Sequence, residues 1–254
     1  MEQQYSIALL QQKFDAGEDI DLLCFWGHSH KQGGEVGKAC LSQWYPAPFV
    51  VAGVTYHTAE HWMMAQKALL FGDRANYSAV INSETPKQAK ALGREVLGFD
   101  DNLWLQHRYA IVVQGNIHKF NQHSALAKYL LATGDKVIVE ASPVDAIWGA
   151  GLAEDSEHIH NIYAWRGLNL LGFALMEVRD LIRKHGHFLP LKDAMLTPRV
   201  AYPKKDYMDM FWRMGVGEEY IINYSKYWSS LSALEKQIYQ LCYPAYADWA
   251  EWYD

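Results

Sequence analysis

The chain of 254 residues has three cysteines, Cys24, Cys40 and Cys242. They are odd in number and widely spaced, which argues against a disulfide framework and fits a reducing, cytoplasmic setting. No apolar run approaches the roughly 18 residues that a membrane helix needs. The stretch MEQQYSIALLQQKFDAGEDIDLL has no basic region and no small-residue cleavage site, so no signal peptide is expected. Basic residues are in the minority, 23 Lys and Arg against 29 Asp and Glu, giving a net charge of −6. A chain of that sign has no general attraction to nucleic acid, although a local basic pocket for one phosphate-bearing ligand stays possible. Internal repeats and low-complexity runs are also missing. Of the eight prolines, Pro190, Pro198 and Pro203 fall close together. They mark the best candidate boundary.

Aromatic residues are abundant, with ten Trp and sixteen Tyr, and half of the chain is hydrophobic. That supports one large domain, or a domain with an appendage. Ile7, Leu10 and Phe14 share a helical period and predict an N-terminal helix within residues 1–23. LLCFW reads as a strand, GHSHKQGGEVGKA as a polar loop, and PFVVAGVTY as a hairpin turning at Ala52-Gly53. Thr58 is placed to cap a helix that ends near Phe71-Gly72-Asp73. Thr85-Pro86 opens a second helix, running to about Leu97-Gly98. DDNLWLQHRYAIVVQGNIHKF is a third and SALAKYLLATG a fourth. KVIVEAS is a strand, PVDAIWGAGL a loop, and IYAWRGLNLLGFALMEVRDLIRKHG a long amphipathic helix closed by Gly186. The tail from about Lys204 is helical and dense in Trp and Tyr. That density suits packing better than a ligand box.

Residues His57 to His61 spell H-x-x-E-H, the ligand signature of one class of zinc peptidases. Such a site needs both histidines on one helix face. The capping position of Thr58 places His57 before the helix, so the phase is wrong for zinc. Cys24, His28, His30 and Cys40 form a second possible ligand set, but their spacing is not a common zinc pattern. The same helix reads differently by faces. Glu60, Met64, Lys67 and Phe71 fall on one stripe. Glu60 and Lys67 lie two turns apart, roughly 10 Å, too far for a direct ion pair but suited to bracketing a ligand. The alternative is an exposed Glu and Lys on a solvated face, which sequence statistics alone favour; against it, the rest of the helix is apolar nearly all round, which predicts burial. His61 then becomes a packing or orienting residue.

Other candidates are weaker when taken singly. Gly93 costs a helix about 1 kcal/mol against Ala, so close packing or ligand approach is expected there. Arg94 is a possible phosphate fork or a surface residue. Trp104 and Trp148 are stacking platforms or core residues. Asp145, between Pro143 and Gly149, is a functional loop carboxylate or a turn former.

Taken in order, LSQWYPAPF (41–49), TAEHWMMAQKALLFGD (58–73), AKALGREV (89–96), LW (103–104), KF (119–120), LLATGDKVIVEASPVDAIWGAGL (130–152) and GLNLLGFALMEVRDLI (167–182) resemble the YbiA-like, or NADAR, family. The resemblance covers about 22 to 185. The chain departs from it at CLSQW, where relatives tend to have Phe-Ser, and after about 190, where the family core ends. It implies a predominantly helical α+β domain over 22–189, preceded by a helical segment over 1–21 and followed by a helical extension over 190–254. It also implies N-glycosidase chemistry on ribosides. The substrates would be ribosylamino-pyrimidine phosphates of riboflavin biosynthesis or ADP-ribosylated guanine, in DNA among other settings. No metal, cofactor or membrane partner is implied, and the oligomeric state is left open.

By motif position, the resemblance makes Glu60, Lys67 and Asp145 catalytic. Arg94, Trp104, Trp148, Trp44 and Gly149 would bind substrate. Breaking a ribose C1′–N bond passes through an oxocarbenium-like centre, which a carboxylate stabilises while an acid protonates the leaving base. Glu60 and Asp145 can share those roles. Lys67 would hold a phosphate or hydroxyl as a cation or, if desolvated, attack C1′ itself. The alternative class is a non-catalytic module that binds an ADP-ribose or NAD-like ligand, for example as a sensor. Release of free base separates the two.

Overall fold

In the computed structural model, residues 4–28, 35–51, 53–186, 195–202, 204–243 and 249 are described. They form ten α-helices and four short strands, a predominantly helical α+β fold. Helix α1 (Ile7–Asp15) starts where the Ser6 hydroxyl accepts the Leu9 N–H. Strand β1 (Leu22–Phe25) follows, then a 3-10 turn over Lys38–Leu41. Strands β2 (Phe49–Val51) and β3 (Val54–Tyr56) form the expected antiparallel hairpin, with Phe49 opposite Tyr56. Gly53 takes the left-handed φ of 76° that the turn requires, whereas Ala52 lies outside the described residues.

Helix α2 (Ala59–Leu70) is capped by Thr58 as its sequence predicts. Helix α3 (Arg74–Ile81) has no counterpart in the sequence reading. It is short and buries only Val80, so it carries no strong apolar period; the Asp73 cap starts it. In α4 (Pro86–Arg94), Thr85 and Gln88 form a capping box. Helix α5 spans Asp101–Gln122, α6 spans Ser124–Ala132, and β4 spans Val137–Glu140.

The long helix expected from Ile162 begins only at Leu170, as α7 (Leu170–His185). Asn169 is the reason. It sits in the left-handed region at φ 49° and is wholly buried. Its side chain donates to the Ile138 carbonyl at 2.9 Å and accepts the Glu140 N–H at 3.0 Å. Two tertiary hydrogen bonds to β4 therefore hold a conformation that stops the helix from extending backwards. Among the described residues after 190, helices α8 (Pro198–Ala201), α9 (Gly215–Ser230) and α10 (Ala233–Cys242) follow, the last two within the stretch from Lys204 that the sequence marks as helical. Among the described residues no helix is long and apolar enough to cross a membrane.

The chain divides into two compact units, one of 48–115 with 189–254, the other of 2–47 with 116–188. In the first, α2 packs against α3 and α4, and Trp62 is its largest fully buried side chain. The Trp62 indole donates to the Ile111 carbonyl at 2.8 Å. A Cβ on Gly115 would stand 2.5 Å from that indole, so glycine is what lets α5 approach α2. In the second unit, β1 pairs parallel with β4, Leu22 opposite Val137. Helix α7 packs on β4, burying Phe173, Ala174 and Leu175. Burying each large apolar side chain of this kind contributes about 1.5–3 kcal/mol.

Candidate active site

Every residue of α2 from Ala59 to Leu69 is buried except Lys67, which is half-buried. The apolar girth of the sequence predicts this. His57 precedes the helix and is exposed. His61 is wholly buried, and both of its ring nitrogens are engaged. Nε2 donates to the Ser83 carbonyl at 3.1 Å, which leaves Nδ1 to accept the Thr58 hydroxyl at 2.8 Å. Burial, more than the neighbouring His57, pushes its pKa down. A neutral imidazole with both nitrogens committed orients the helix start and has no lone pair for zinc. Of the second possible ligand set, His30 lies outside the described residues. The His28 ring faces Trp44 at 5.5 Å, and burial pushes the Cys24 and Cys40 thiols up to about 11.

Lys67 is held on three sides. Its Nζ donates to the Gly93 carbonyl at 2.8 Å and lies 4.2 Å from the Phe99 ring centroid and 5.5 Å from that of Trp104. Gly93 is in the last turn of α4, where carbonyls have no helical partner, so the amine caps that helix. Burial lowers the Lys67 pKa; the charge of Asp101 partly opposes it. Phe99 gave no sequence signal, because it lies between elements. Its loop is fixed by Asp73, whose carboxylate caps α3 through the Asn76 N–H at 3.0 Å and accepts the Leu97 N–H at 2.9 Å. Those backbone donors, Leu97 first, hold the Asp73 carboxyl below its usual range.

Gly93 is explained by packing. A Cβ there would lie 2.0 Å from the Met64 sulfur, so the glycine admits α2 against α4 and delivers its carbonyl to Lys67. Glu60 is 3% exposed in the first turn of α2. Arg94, at the end of α4, is exposed, and Trp104 is half-buried. Lys67 and Trp104 are therefore brought together, with Arg94 adjacent in sequence to the carbonyl that holds the lysine.

The remaining candidates belong to the second unit. Asp145 Oδ1 accepts two backbone bonds, from Ile147 at 2.9 Å and from Trp148 at 2.8 Å. The turn-forming role is thus real, and it uses one oxygen; Oδ2 takes no part in it. Trp148 is half-buried and Gly149 buried. The loop rests on residues 166–171, through bonds such as Leu168 N–H to the Ala146 carbonyl and Leu171 N–H to the Trp148 carbonyl, at 3.0 and 3.1 Å. A Cβ on Gly149 would lie 2.8 Å from the Glu140 carbonyl, so glycine is required for that seating.

Trp44 is half-buried in a turn where the Ser42 hydroxyl accepts its N–H at 3.1 Å. Beneath that turn lies Lys119, a residue that the sequence offers only as part of the KF block. It is wholly buried, and its Nζ donates to the Ser42 carbonyl at 2.8 Å. The rings of Phe120 and Tyr45 lie 5.1 and 5.8 Å away. Burial pushes Lys119 down to about 7. The neighbouring Gln43 amide donates to Asn116 at 3.1 Å. Lys119 and Asn116 together fix the turn that presents Trp44. The stretch AIVVQGNIHKF around it is half polar, so the sequence carries little sign that this lysine is buried.

Residues 24–183 match the family model described as the NADAR domain. The chain is 43% identical over 168 residues to N-glycosidase R617 of Acanthamoeba polyphaga mimivirus, covering 64% of this chain and 97% of that protein. It is 33% identical over 148 residues to riboflavin biosynthesis protein VVA0006 of Vibrio vulnificus (strain YJ016), covering 58% of this chain and 36% of that protein. The NMR structure of the E. coli protein YbiA matches it with a TM-score of 0.52 and 28% identity, covering 66% of this chain and 90% of that chain. With the family model spanning more than half of its length, the chain belongs to the NADAR domain family.

Proposed function

We propose that this chain is an N-glycosidase that hydrolyses the ribose C1′–N bond of a phosphorylated riboside, with Lys67 as the attacking amine. The kinship to proteins named N-glycosidase supports the reaction class. The caged lysine carries the assignment of the nucleophile. Its pKa is lowered by burial, so the neutral amine is more accessible than on a solvated lysine. The Gly93 carbonyl and the two rings restrict its orientation.

Lys67 attacks C1′, the bond to the base nitrogen breaks, and the base leaves with a proton from a carboxylic acid. The ribosyl-lysine opens to an imine, and water then releases the sugar and restores the amine. By motif position in the family, Glu60 and Asp145 are assigned the acid and the water-directing carboxylate. By motif position, Trp104, Trp148 and Trp44 are the stacking faces and Arg94 the phosphate contact, while Gly149 belongs to the substrate-binding loop that its packing against Glu140 seats. The substrate is a ribosylamino-pyrimidine phosphate or ADP-ribosylated guanine, as a small nucleotide or within DNA. The name of the Vibrio relative supports the first. A reducing cytoplasm suits the free thiols of Cys24 and Cys40.

The test offers both substrates side by side, with and without borohydride, and follows free base. Base release together with a borohydride-trapped adduct on Lys67 is the expected result. Release without an adduct would make Lys67 an electrostatic group. Binding of either ligand with no release would make the protein a binding module.

A further inference from the structure

We propose that Asp101 is a specificity-determining residue of the Lys67 site, its carboxylate accepting the 2′-hydroxyl of the substrate's ribose. The inference rests on the reading of Lys67 as the group that reaches C1′. It adds a contact that neither the sequence motifs nor the reaction class assigns.

Two aspartates open helix α5, and they differ in what they do. Asp100 is the cap: its carboxylate accepts the Leu103 N–H at 2.8 Å and its carbonyl accepts the Trp104 N–H at 3.0 Å. Asp101 follows in the first turn and is exposed. Among the described residues its carboxylate takes no hydrogen bond and forms no ion pair. Capping therefore does not account for it. Asp101 and Trp104 stand three residues apart, so they are neighbours on one helix face, with about 5–6 Å between their Cβ atoms. The Trp104 ring lies 5.5 Å from Lys67 Nζ. That places the free carboxylate beside the caged amine. The charge of Asp101 acts on Lys67, yet the two do not close to an ion pair.

The chemistry of that gap selects its occupant. The lysine repels a second cation, and the carboxylate repels a phosphate. A neutral hydroxyl suits both, because it donates to the carboxylate and accepts from the lysine. The Phe99 and Trp104 rings, 4.2 and 5.5 Å from Nζ, add flat apolar faces on which the C–H face of a sugar packs. Phe99 is 42% exposed, so this face is open to a ligand. With Lys67 at C1′, the hydroxyl on the neighbouring carbon is the 2′-hydroxyl. The phosphate of the substrate then lies away from Asp101. All four residues belong to the first unit.

The test uses the full chain. Methyl ribofuranoside 5-phosphate and its 2-deoxy counterpart, neither of which has a base to release, are titrated by calorimetry. The wild type should bind the riboside about tenfold more tightly, the worth of one charge-assisted hydrogen bond. Asp101→Ala should lose that preference and keep the wild-type affinity for the deoxyriboside. Asp101→Asn, whose carboxamide oxygen still accepts, should keep part of the preference. Asp101 is exposed, so both variants should melt close to the wild type. Equal or absent affinities in the wild type, or a preference that survives in Asp101→Ala, overturns the proposal. A preference lost in Asp101→Ala, with no base released from any ribosyl substrate, would keep Asp101 as the ribose contact and sink the hydrolase reading alone. Base release with the preference untouched by Asp101→Ala would do the reverse.

Discussion

Lys67 Nζ donates to the Gly93 carbonyl at 2.8 Å, tying the half-buried side chain of an otherwise buried helical run to the last turn of α4. The sequence places Glu60 and Lys67 on one stripe. It gives no sign that the lysine is held from another helix.

Replacing Lys67 by Ala should reduce base release by about 100-fold or more, and Lys67→Arg should not restore it, because a guanidinium stays protonated. The folded pKa lies below 10.5, so the neutral amine grows as pH rises towards that value from a point beneath it. The single-turnover rate in the wild type should rise with pH through an inflection below 10.5. A flat profile above neutrality would count against the amine as nucleophile.

Gly93→Ala puts a methyl group 2.0 Å from the Met64 sulfur. The gain in helix propensity is about 1 kcal/mol, and overpacking typically costs 1–3 kcal/mol. At this distance the clash should win, with a net loss of about 1–2 kcal/mol in urea unfolding. In a Met64→Ala background the loss should shrink or reverse. Equal losses in both backgrounds would show that Met64 is not the obstacle.

Asp145→Asn keeps an oxygen that accepts the Ile147 and Trp148 N–H groups, whereas Asp145→Ala does not. The Ala variant should lose about 1–2 kcal/mol of stability and the Asn variant much less. Both should lose base release if the carboxylate charge matters. Full activity in Asp145→Asn would reduce the residue to a turn former.

Lys119 has a folded pKa of about 7 against an ordinary 10.5. Below pH 7 the folded protein carries the full cost of a buried charge. Between those two values the unfolded chain binds the extra proton, so the contribution of Lys119 to stability improves with rising pH, by about 1.4 kcal/mol per unit. The stability of Lys119→Met relative to wild type should therefore be most favourable near pH 6 and decline towards pH 10. A pH-independent difference would mean that the lysine titrates normally.

Both His61 nitrogens are hydrogen-bonded, to Thr58 and to Ser83. Excess chelator should leave base release unchanged, and His61→Ala should lower the melting temperature without changing the metal content. Chelator-sensitive activity would reopen the zinc reading.

What the sequence determines by itself is local. Apolar period and caps mark α2, α4, α5 and α6, the hairpin follows from its β-branched pairs and glycine, and the ordered motifs identify the family. Those signals act over a few residues, so they survive without knowledge of the fold. Tertiary structure decides the rest. It ends the α7 signal at Leu170, because Asn169 bonds to β4 rather than to its own helix. It starts α3 from a single aspartate cap that also reaches Leu97. It sets the protonation of Lys67 and Lys119, because desolvation depends on which rings and carbonyls arrive from distant parts of the chain. Spacing along one helix can nominate a lysine for chemistry, but only packing removes the water that would keep its amine ordinary.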